Sequence, residues 1–250
     1  MLSHFEKPRP EHLARLRSPR IFAIFSFRYD CHLVPDLIRN IEPIVDGWIA
    51  FDDRNAEGPF SSEPARHMAL VKRARELGVD WILHIDPDER LETAAALRIR
   101  ALVAHRERII WTFNLRELFS PTKYRIDGIW GKKRVGRLYP LLDGQVFSQQ
   151  ELHTPEYPIE PGYTVKSSDL NLYHLKMIDP ERRKARRDLY HFLDPQNKYQ
   201  AFGYDYMTDE SGAKFEVIEK DRTYAPRHRD DGGLWVASTR MTRPSNVERS

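Results

Sequence analysis

Cysteine is almost missing from this chain, which has Cys31 as its single thiol in 250 residues. One cysteine excludes a disulfide within the chain and a zinc site built from several thiolates. Long apolar runs are missing as well, since no stretch reaches the roughly 18 residues that a membrane-spanning helix needs. The first 20 residues lack the apolar middle of a secretory signal. We therefore expect a soluble, cytoplasmic protein.

A strong charge of either sign is also absent, because 40 lysines and arginines stand against 37 aspartates and glutamates. A net charge of +3 does not require nucleic acid as a partner, and none is predicted. The basic residues do cluster in one run, 182–187. Such a run is either a solvated helix face or a contact for phosphate or anionic lipid. Under the second interpretation, the protein binds weakly and peripherally to the inner face of an anionic membrane.

The first half of the chain contains a regular alternation of elements. Apolar runs of strand length alternate with segments in which apolar residues recur at helical spacing. This order predicts an α/β protein with a Rossmann-like mixed sheet, mainly parallel in its N-terminal half and flanked by helices. After about residue 135 the shorter segments predict mixed or antiparallel pairing. The predicted strands of the first half are 20–27, 47–51 and 81–85, and the predicted helices are 33–44 and 62–77.

Composition divides the chain into four parts. Residues 1–18 are polar and rich in Pro and Arg, and they are predicted to form a flexible N-terminal arm, followed by the α/β domain at 19–178. Asp179 and Pro180 give a helix start signal, which predicts a helical C-terminal extension over 179–225. Polar residues dominate 226–250, which is predicted to be a disordered tail.

Two of the predicted strands end in acids, which are Asp52 with Asp53 and Asp86 with Asp88. Parallel strands bring their carboxyl ends to one edge of a sheet, where α/β proteins bind ligands. Two carboxylates about 4 Å apart repel by roughly 4 kcal/mol at an effective dielectric near 20, whereas a helix-capping Asp returns only about 1 kcal/mol. A hard cation such as Mg²⁺ or Mn²⁺ would neutralise such a group. The alternative is a solvated Asp-Pro turn that opens the next helix.

The order of these motifs resembles the family 2 glycosyltransferases, which have the GT-A fold. The resemblance is to the bacterial lipopolysaccharide-core and capsule type, in which a Trp-rich strand ends in Asp-Ala-Asp-Glu. Here the corresponding run is Trp81 to Glu89, with Pro87 in place of the small residue. The family's arginine stretch corresponds to 137–139, and its two separated histidines correspond to His153 and His174. The resemblance covers roughly residues 20–175.

The resemblance implies a metal-dependent, inverting transfer of a sugar from a nucleoside-diphosphate sugar to an acceptor hydroxyl. It implies a saccharide or glycolipid acceptor and a place in cell-surface polysaccharide or glycolipid synthesis. The residues that it implies for nucleotide binding are Asp52, Asp53, Asp86 and Arg137, and those for Mn²⁺ or Mg²⁺ are Asp88, Asp86 and His174. A carboxylate on the acceptor side would take the hydroxyl proton. Glu151 is the first candidate for this catalytic base and Asp169 the second.

Two other functions are consistent with the same motifs. The chain could be a non-catalytic GT-A-like module that binds nucleotide or carbohydrate and uses the basic run 182–187 as a contact surface. It could also be a phosphotransferase with Asp86 as the nucleophile. Such enzymes usually have Thr or Val two positions after the second Asp, where this chain has Arg90, and no partner lysine motif is evident. His84, inside an apolar strand, is interpreted as a packed core histidine.

Overall fold

The structure is a computed structural model that describes residues 1–7, 18–58, 61–104 and 107–228. Residues 8–17 of the predicted arm and 229–250 of the predicted tail lie outside the described residues. The strands are β1 (Leu2–Glu6), β2 (Ile21–Phe27), β3 (Gly47–Asp52), β4 (Trp81–His84), β5 (Glu89–Leu91), β6 (Ile109–Ser120), β7 (Lys123–Arg125), β8 (Arg134–Pro140), β9 (Thr164–His174) and β10 (Phe215–Val217). The α-helices are α1 (Val34–Ile41), α2 (Glu63–Glu76), α3 (Ala95–Leu102) and α4 (Pro180–Leu193).

One mixed sheet joins these strands in the order β1-β3-β2-β4-β8-β6-β7-β10, with β9 beside β6 and β5. The α/β class is as predicted, but the mainly parallel pairing is not. Among the described strands, β2 pairs in parallel with β3 and β4, and β6 with β9, whereas the remaining pairs are antiparallel. The reason lies in the connections, because a parallel pair needs a long crossover. After α3, the chain passes from β6 to β8 without an α-helix that could serve as such a crossover, and β6 and β8 pair antiparallel.

The start of the chain is a strand and not the predicted flexible arm. β1 pairs antiparallel with β3 over its whole length, from Leu2 opposite Phe51 to Glu6 opposite Gly47. The ring of Phe5 stacks on Trp48 with 6.4 Å between centroids. Residues 1–7 are nevertheless exposed, because β1 forms the outer edge of the sheet. Their polar composition suggested an arm, whereas edge pairing is set by backbone hydrogen bonds that composition does not reveal.

The central strands are buried on both faces, as their continuous apolar runs predict. Alternate residues of β2 belong to two cores: Ile21 and Phe25 share one core with residues of α1 and α3. Phe22 and Ile24 share the other core with residues of α2. Each such side chain contributes about 1.5–3 kcal/mol when fully buried. The sheet is thereby fixed between helices, with its strand ends free to build a site.

Helix α2 begins as its sequence predicts, because the side chain of Ser62 accepts a hydrogen bond from the N–H of Ala65. Gly78 lies just beyond its end with a φ of +66°, a conformation that favours glycine. The buried face of α2 includes His67, Val71 and Ala74, whereas Met68 is 42% exposed.

The C-terminal region 179–225 contains one α-helix within the described residues. The side chain of Asp179 caps α4 by accepting hydrogen bonds from the N–H groups of residues 181 and 182, as predicted. The rest of the predicted helical extension, after Asp194, consists of turns, a short 3-10 segment at Asp205–Met207 and the short strand β10. In the part of the chain that the structure describes, no helix combines the length and the apolar character needed to cross a bilayer.

The basic run in α4 is largely buried, although the sequence suggested either a solvated helix face or a contact for phosphate or lipid. Arg182, Arg183 and Arg186 are buried, with 4%, 6% and 9% of their surface exposed. A buried guanidinium needs an anionic or hydrogen-bonding partner, and Arg183 and Arg186 each contact a carboxylate. Most arginines of the run therefore point into the protein, which leaves Lys184 and part of Arg187 at the surface, and contact with lipid stays a prediction.

Candidate functional site

One edge of the sheet collects the polar ends of several strands. β2, β3 and β4 run parallel, so their carboxyl ends meet there. Two successive antiparallel pairings, β4 with β8 and β8 with β6, make β6 and its parallel neighbour β9 end at the same edge. β8 runs in the opposite direction and therefore begins there. This topology brings together residues that are distant in sequence, from Arg28 to His174.

A cavity of about 440 Å³ opens at this edge, within the range of about 300–1,000 Å³ that small-molecule sites occupy. Charged side chains of both signs line it. The acidic ones are Asp30, Asp53, Glu63, Asp86, Asp88, Glu89 and Glu156. The basic ones are Arg28, Arg66, Lys133, Arg134, Arg137, Lys176 and Arg186. The two sets are equal in number, and most of their members form ion pairs with each other. A charged ligand would therefore have to replace some of these ion pairs.

The first acidic pair is divided between the cavity and the surface. Asp53 is buried, lines the cavity and accepts hydrogen bonds from the N–H and hydroxyl of Ser61. The guanidinium groups of Arg28 and Arg66 each lie 3.6 Å from its Oδ2. Asp52 is bound instead by Arg54, whose hydrogen bonds lower the pKa of Asp52. Successive residues of an extended chain point to opposite sides, so only Asp53 lines the cavity.

Asp88 is held in a buried chain of alternating charges. Its Oδ2 accepts a 2.8 Å hydrogen bond from Arg186, and its Oδ1 lies 3.3 Å from Nε2 of His174. The other ring nitrogen of His174 lies 3.1 Å from Glu117, which also pairs with Lys176 at 3.2 Å. Burial alone would raise the pKa of Asp88, but Arg186 and His174 hold that pKa well below its usual value. Burial alone would lower the pKa of His174, but Glu117 and Asp88 raise it to about 9.

In this structure two members of the predicted metal-ligand set, Asp88 and His174, form an ion pair at the cavity wall. Both carboxylate oxygens of Asp88 are engaged, one by Arg186 and one by His174. Because a metal needs a lone pair on the imidazole, it would have to displace the proton that Glu117 and Asp88 favour on His174. The set of Asp86, Asp88 and His174 stays a prediction.

Asp86 has different surroundings, although it is only two residues away. Its side chain is 36% exposed and its Oδ2 accepts a 2.9 Å hydrogen bond from Arg137. The same guanidinium contacts Glu89 at 2.6 Å and Glu156 on the loop between β8 and β9. Arg137 thus joins three carboxylates of which Glu89 is fully buried. Burial would lower the pKa of Arg137, but Glu89 and Asp86 raise it, which keeps the guanidinium charged.

A second set of ligand atoms fits a cation. One atom each from His84, Asp86 and Glu156 lies within 4.8 Å of the others. Nε2 of His84 is 3.4 Å from Oε1 of Glu156, and its Nδ1 has no hydrogen-bond partner. Burial lowers the pKa of His84, with His67 and Arg137 adding to the effect, so the imidazole is neutral and keeps a lone pair. His84 is buried as predicted, but it also lines the cavity.

The predicted catalytic bases are not among the residues that line the cavity. Glu151 is exposed and acts electrostatically on Glu63. Asp169 lies in β9, is exposed, and pairs with Arg98 of α3. Glu63, the first residue of α2, does line the cavity, and the N–H of Thr154 donates a 3.4 Å hydrogen bond to it. Burial raises the pKa of Glu63 to about 7, opposed by Arg66 and assisted by Asp86 and Glu151.

Sequence reasoning missed several side chains of this cavity, among them Glu63, Glu156 and Arg186. Glu63 follows a capping Ser, so its acidic character was assigned to the helix start. Glu156 lies in a loop between prolines and belongs to no motif, and Arg186 was counted with a surface run. No local signal could have placed Glu156, because only the path of the loop after β8 brings it to β4.

Comparisons with known proteins give little more. The sequence matches no protein-family model and no curated protein. Among the solved structures that match is the crystal structure of S. aureus TarS 1-349, with 13% sequence identity over 76% of this chain and 70% of that chain. The TM-score of 0.39 is too low to carry an argument about fold or function.

Proposed function

We propose that this protein is a glycosyltransferase that moves a sugar from a nucleoside-diphosphate sugar to a hydroxyl of a saccharide or glycolipid, with inversion. The reaction would belong to the synthesis of cell-surface polysaccharide or glycolipid and would take place in the cytoplasm. One observation carries the proposal: Asp53 and Asp86, just beyond the ends of β3 and β4, the parallel strands on either side of β2, line the same cavity as Arg137 and Lys133. Carboxylates for sugar hydroxyls and cations for a diphosphate are thereby brought together.

Lys133 supports an anionic ligand most directly. It lines the cavity and forms no ion pair with any residue in the described ranges. Burial and the neighbouring cations Lys176 and Arg137 lower its pKa against the opposite effect of Glu117 and Glu89, so its charged form is only partly compensated. A bound diphosphate would complete that compensation. Arg137 would be the second contact, because it lines the same cavity and donates a hydrogen bond to Asp86.

The nucleoside would be oriented by the two strand-end carboxylates. Asp53 would accept a hydrogen bond from the base or ribose, and Asp86, which is partly exposed, from a ribose hydroxyl. A divalent cation, Mn²⁺ or Mg²⁺, would stabilise the charge that develops on the departing nucleoside diphosphate. Glu63 would accept the proton of the acceptor hydroxyl, since a carboxylate with a pKa of about 7 matches the operating pH of a general base.

Titration calorimetry with uridine, guanosine and thymidine diphosphates, with and without Mn²⁺, tests the donor site. We expect at least one to bind, and Lys133→Gln to weaken that binding by about tenfold through loss of a charge-assisted contact. Lys132→Gln is the matched control, because Lys132 is adjacent in sequence but does not line the cavity. The absence of binding by all three nucleotides at millimolar concentration would overturn the proposal.

The catalytic half of the proposal is tested by turnover of the donor that the bound nucleotide identifies. Binding without sugar transfer or donor hydrolysis would indicate the non-catalytic GT-A-like module. Phosphate release that depends on Asp86 and needs no nucleotide sugar would indicate the Asp-based phosphotransferase.

A further inference from the structure

We propose that His84, Asp86 and Glu156 form a transition-metal site, and that a divalent ion and the guanidinium of Arg137 compete for it. The site takes its role from the glycosyl transfer proposed above, but its existence does not depend on any nucleotide. It differs from the site predicted by the sequence, because it shares only Asp86 with that set.

The geometry of the three side chains carries the first part of the argument. His84 and Asp86 are two residues apart at the end of β4, a spacing that directs extended residues to the same face. Glu156 reaches them from the loop after β8, and all three line the cavity. One ligand atom from each side chain lies within 4.8 Å of the others, close enough for a bound ion to draw them to bonds of about 2.0–2.2 Å.

The buried ring of His84 is a second reason to expect a metal here, independent of the two carboxylates. Its ring is 6% exposed, its Nε2 faces Glu156 at 3.4 Å, and its Nδ1 is buried without a hydrogen-bond partner. On its other side it stacks on the ring of His67, with 5.1 Å between centroids and 15° between planes. The ring is thereby fixed in one orientation with a nitrogen directed at the two carboxylates. A nitrogen ligand also favours a transition metal such as Mn²⁺ over Mg²⁺.

The local balance of charge carries the second part. Asp86, Glu89 and Glu156 all contact Arg137, so three carboxylates share one guanidinium. An excess of acidic groups in a partly closed cavity attracts a cation of higher charge. Arg137 contacts Oδ2 of Asp86 and Oε2 of Glu156. Oε1 of Glu156 faces His84, so an ion held by these carboxylates would lie beside the guanidinium and be repelled by its charge. Ion and guanidinium therefore compete, and an arriving ion would release Arg137 toward the phosphates of the donor.

Manganese binding without nucleotide tests the site, measured by calorimetry and by the decrease in the free Mn²⁺ electron paramagnetic resonance signal. We expect His84→Gln and Glu156→Gln each to weaken Mn²⁺ binding by at least about tenfold, and Mg²⁺ to bind more weakly than Mn²⁺. Arg137→Gln should tighten Mn²⁺ binding by about fivefold or more, because it removes the competitor. Arg134→Gln is its matched control, since Arg134 lines the same cavity but bonds to Asn114 and Ser168.

Three results would overturn the inference. One is the absence of Mn²⁺ binding to the folded wild-type protein at millimolar concentration. Another is a loss of binding in His174→Gln together with full binding in His84→Gln, which would restore the site predicted from the sequence. The third is an unchanged Mn²⁺ affinity in Arg137→Gln, which would exclude the competition. Nucleotide binding measured without metal remains a separate result, so the inference and the donor site can fail independently.

Discussion

The guanidinium of Arg186 donates a 2.8 Å hydrogen bond to Oδ2 of Asp88, across 98 positions of the sequence. This contact fastens the C-terminal helix α4 to the segment that follows β4 and closes one wall of the cavity. It also gives the second Asp of the Asp-Pro-Asp run a partner within the protein. In this structure Arg186 and His174 neutralise its carboxylate.

Breaking this pair should destabilise the fold. Arg186→Met is expected to lower the free energy of unfolding by about 3–5 kcal/mol, because it leaves the buried carboxylate of Asp88 without its main partner. Urea denaturation followed by tryptophan fluorescence provides the measurement. The double variant Asp88→Asn/Arg186→Met should lose less than the sum of the single variants, by about 1 kcal/mol or more. Arg187→Met is the control, since Arg187 pairs with Asp188 near the surface and should cost no more than about 1 kcal/mol.

Because of His174, the stability of the protein should decrease as the pH becomes alkaline. Its pKa is raised from 6.5 to about 9, by Glu117 and Asp88 against the effect of burial and of Lys176. A raised pKa means that the stabilisation is complete below pH 6.5 and is lost as pH rises through about 9. The difference in unfolding free energy between wild type and His174→Gln should therefore be largest near pH 6 and small near pH 10. A difference that stays constant over this range would contradict the assignment.

The pairing of the edge strand β1 with β3 should be weakened by a single methyl group added at Gly47. A Cβ at Gly47 would lie 2.6 Å from the ring of Phe22 and would also meet the carbonyl of Phe5. Gly47→Ala should therefore cost about 1–3 kcal/mol and increase hydrogen exchange in residues 2–6. Ser3→Ala, an exposed change in the same strand, should stay within about 0.5 kcal/mol. Equal exchange in both variants would show that β1 is not bound to β3 in solution.

Removal of the proposed base should separate turnover from binding. Glu63→Gln is expected to lower the rate of sugar transfer by about 10²–10⁴-fold while nucleotide affinity stays unchanged. The wild-type rate should rise with pH toward a plateau above about pH 7, because Glu63 must lose its proton to act. The comparison variants are Glu151→Gln and Asp169→Asn, which alter the carboxylates expected from sequence. Full activity in Glu63→Gln with loss in either comparison variant would reassign the base.

Much of the fold was predictable because its signals are local. The apolar runs of β2, β3 and β4 and the capping residues Ser62 and Asp179 act within a few positions of themselves. The antiparallel insertion of β8 beside β4 was not predictable in this way. Pairing between distant strands depends on which edges are free after the helices have packed, and no short window of sequence contains that information.

The candidate site was likewise predictable only in the part that depends on local signals. That Asp53 and Asp86 would share a cavity follows from parallel strands ending at one edge, and the structure places both there. Arg137 was expected at this site from the family resemblance, but its contacts with Asp86 and Glu156 were not. The partner of Asp88, Arg186, also comes from a later segment that no local signal connects to the strand end.

By itself, the sequence determined which segments are strands, where the acidic strand ends lie, and that no disulfide could hold them. Only the tertiary structure decided which carboxylates are neutralised by arginine and which remain open to a ligand. The physical reason is that the charge state and accessibility of a buried group depend on the neighbours supplied by the whole fold. In this protein such a neighbour lies 98 positions from the buried Asp88 and 130 positions from the buried Glu92.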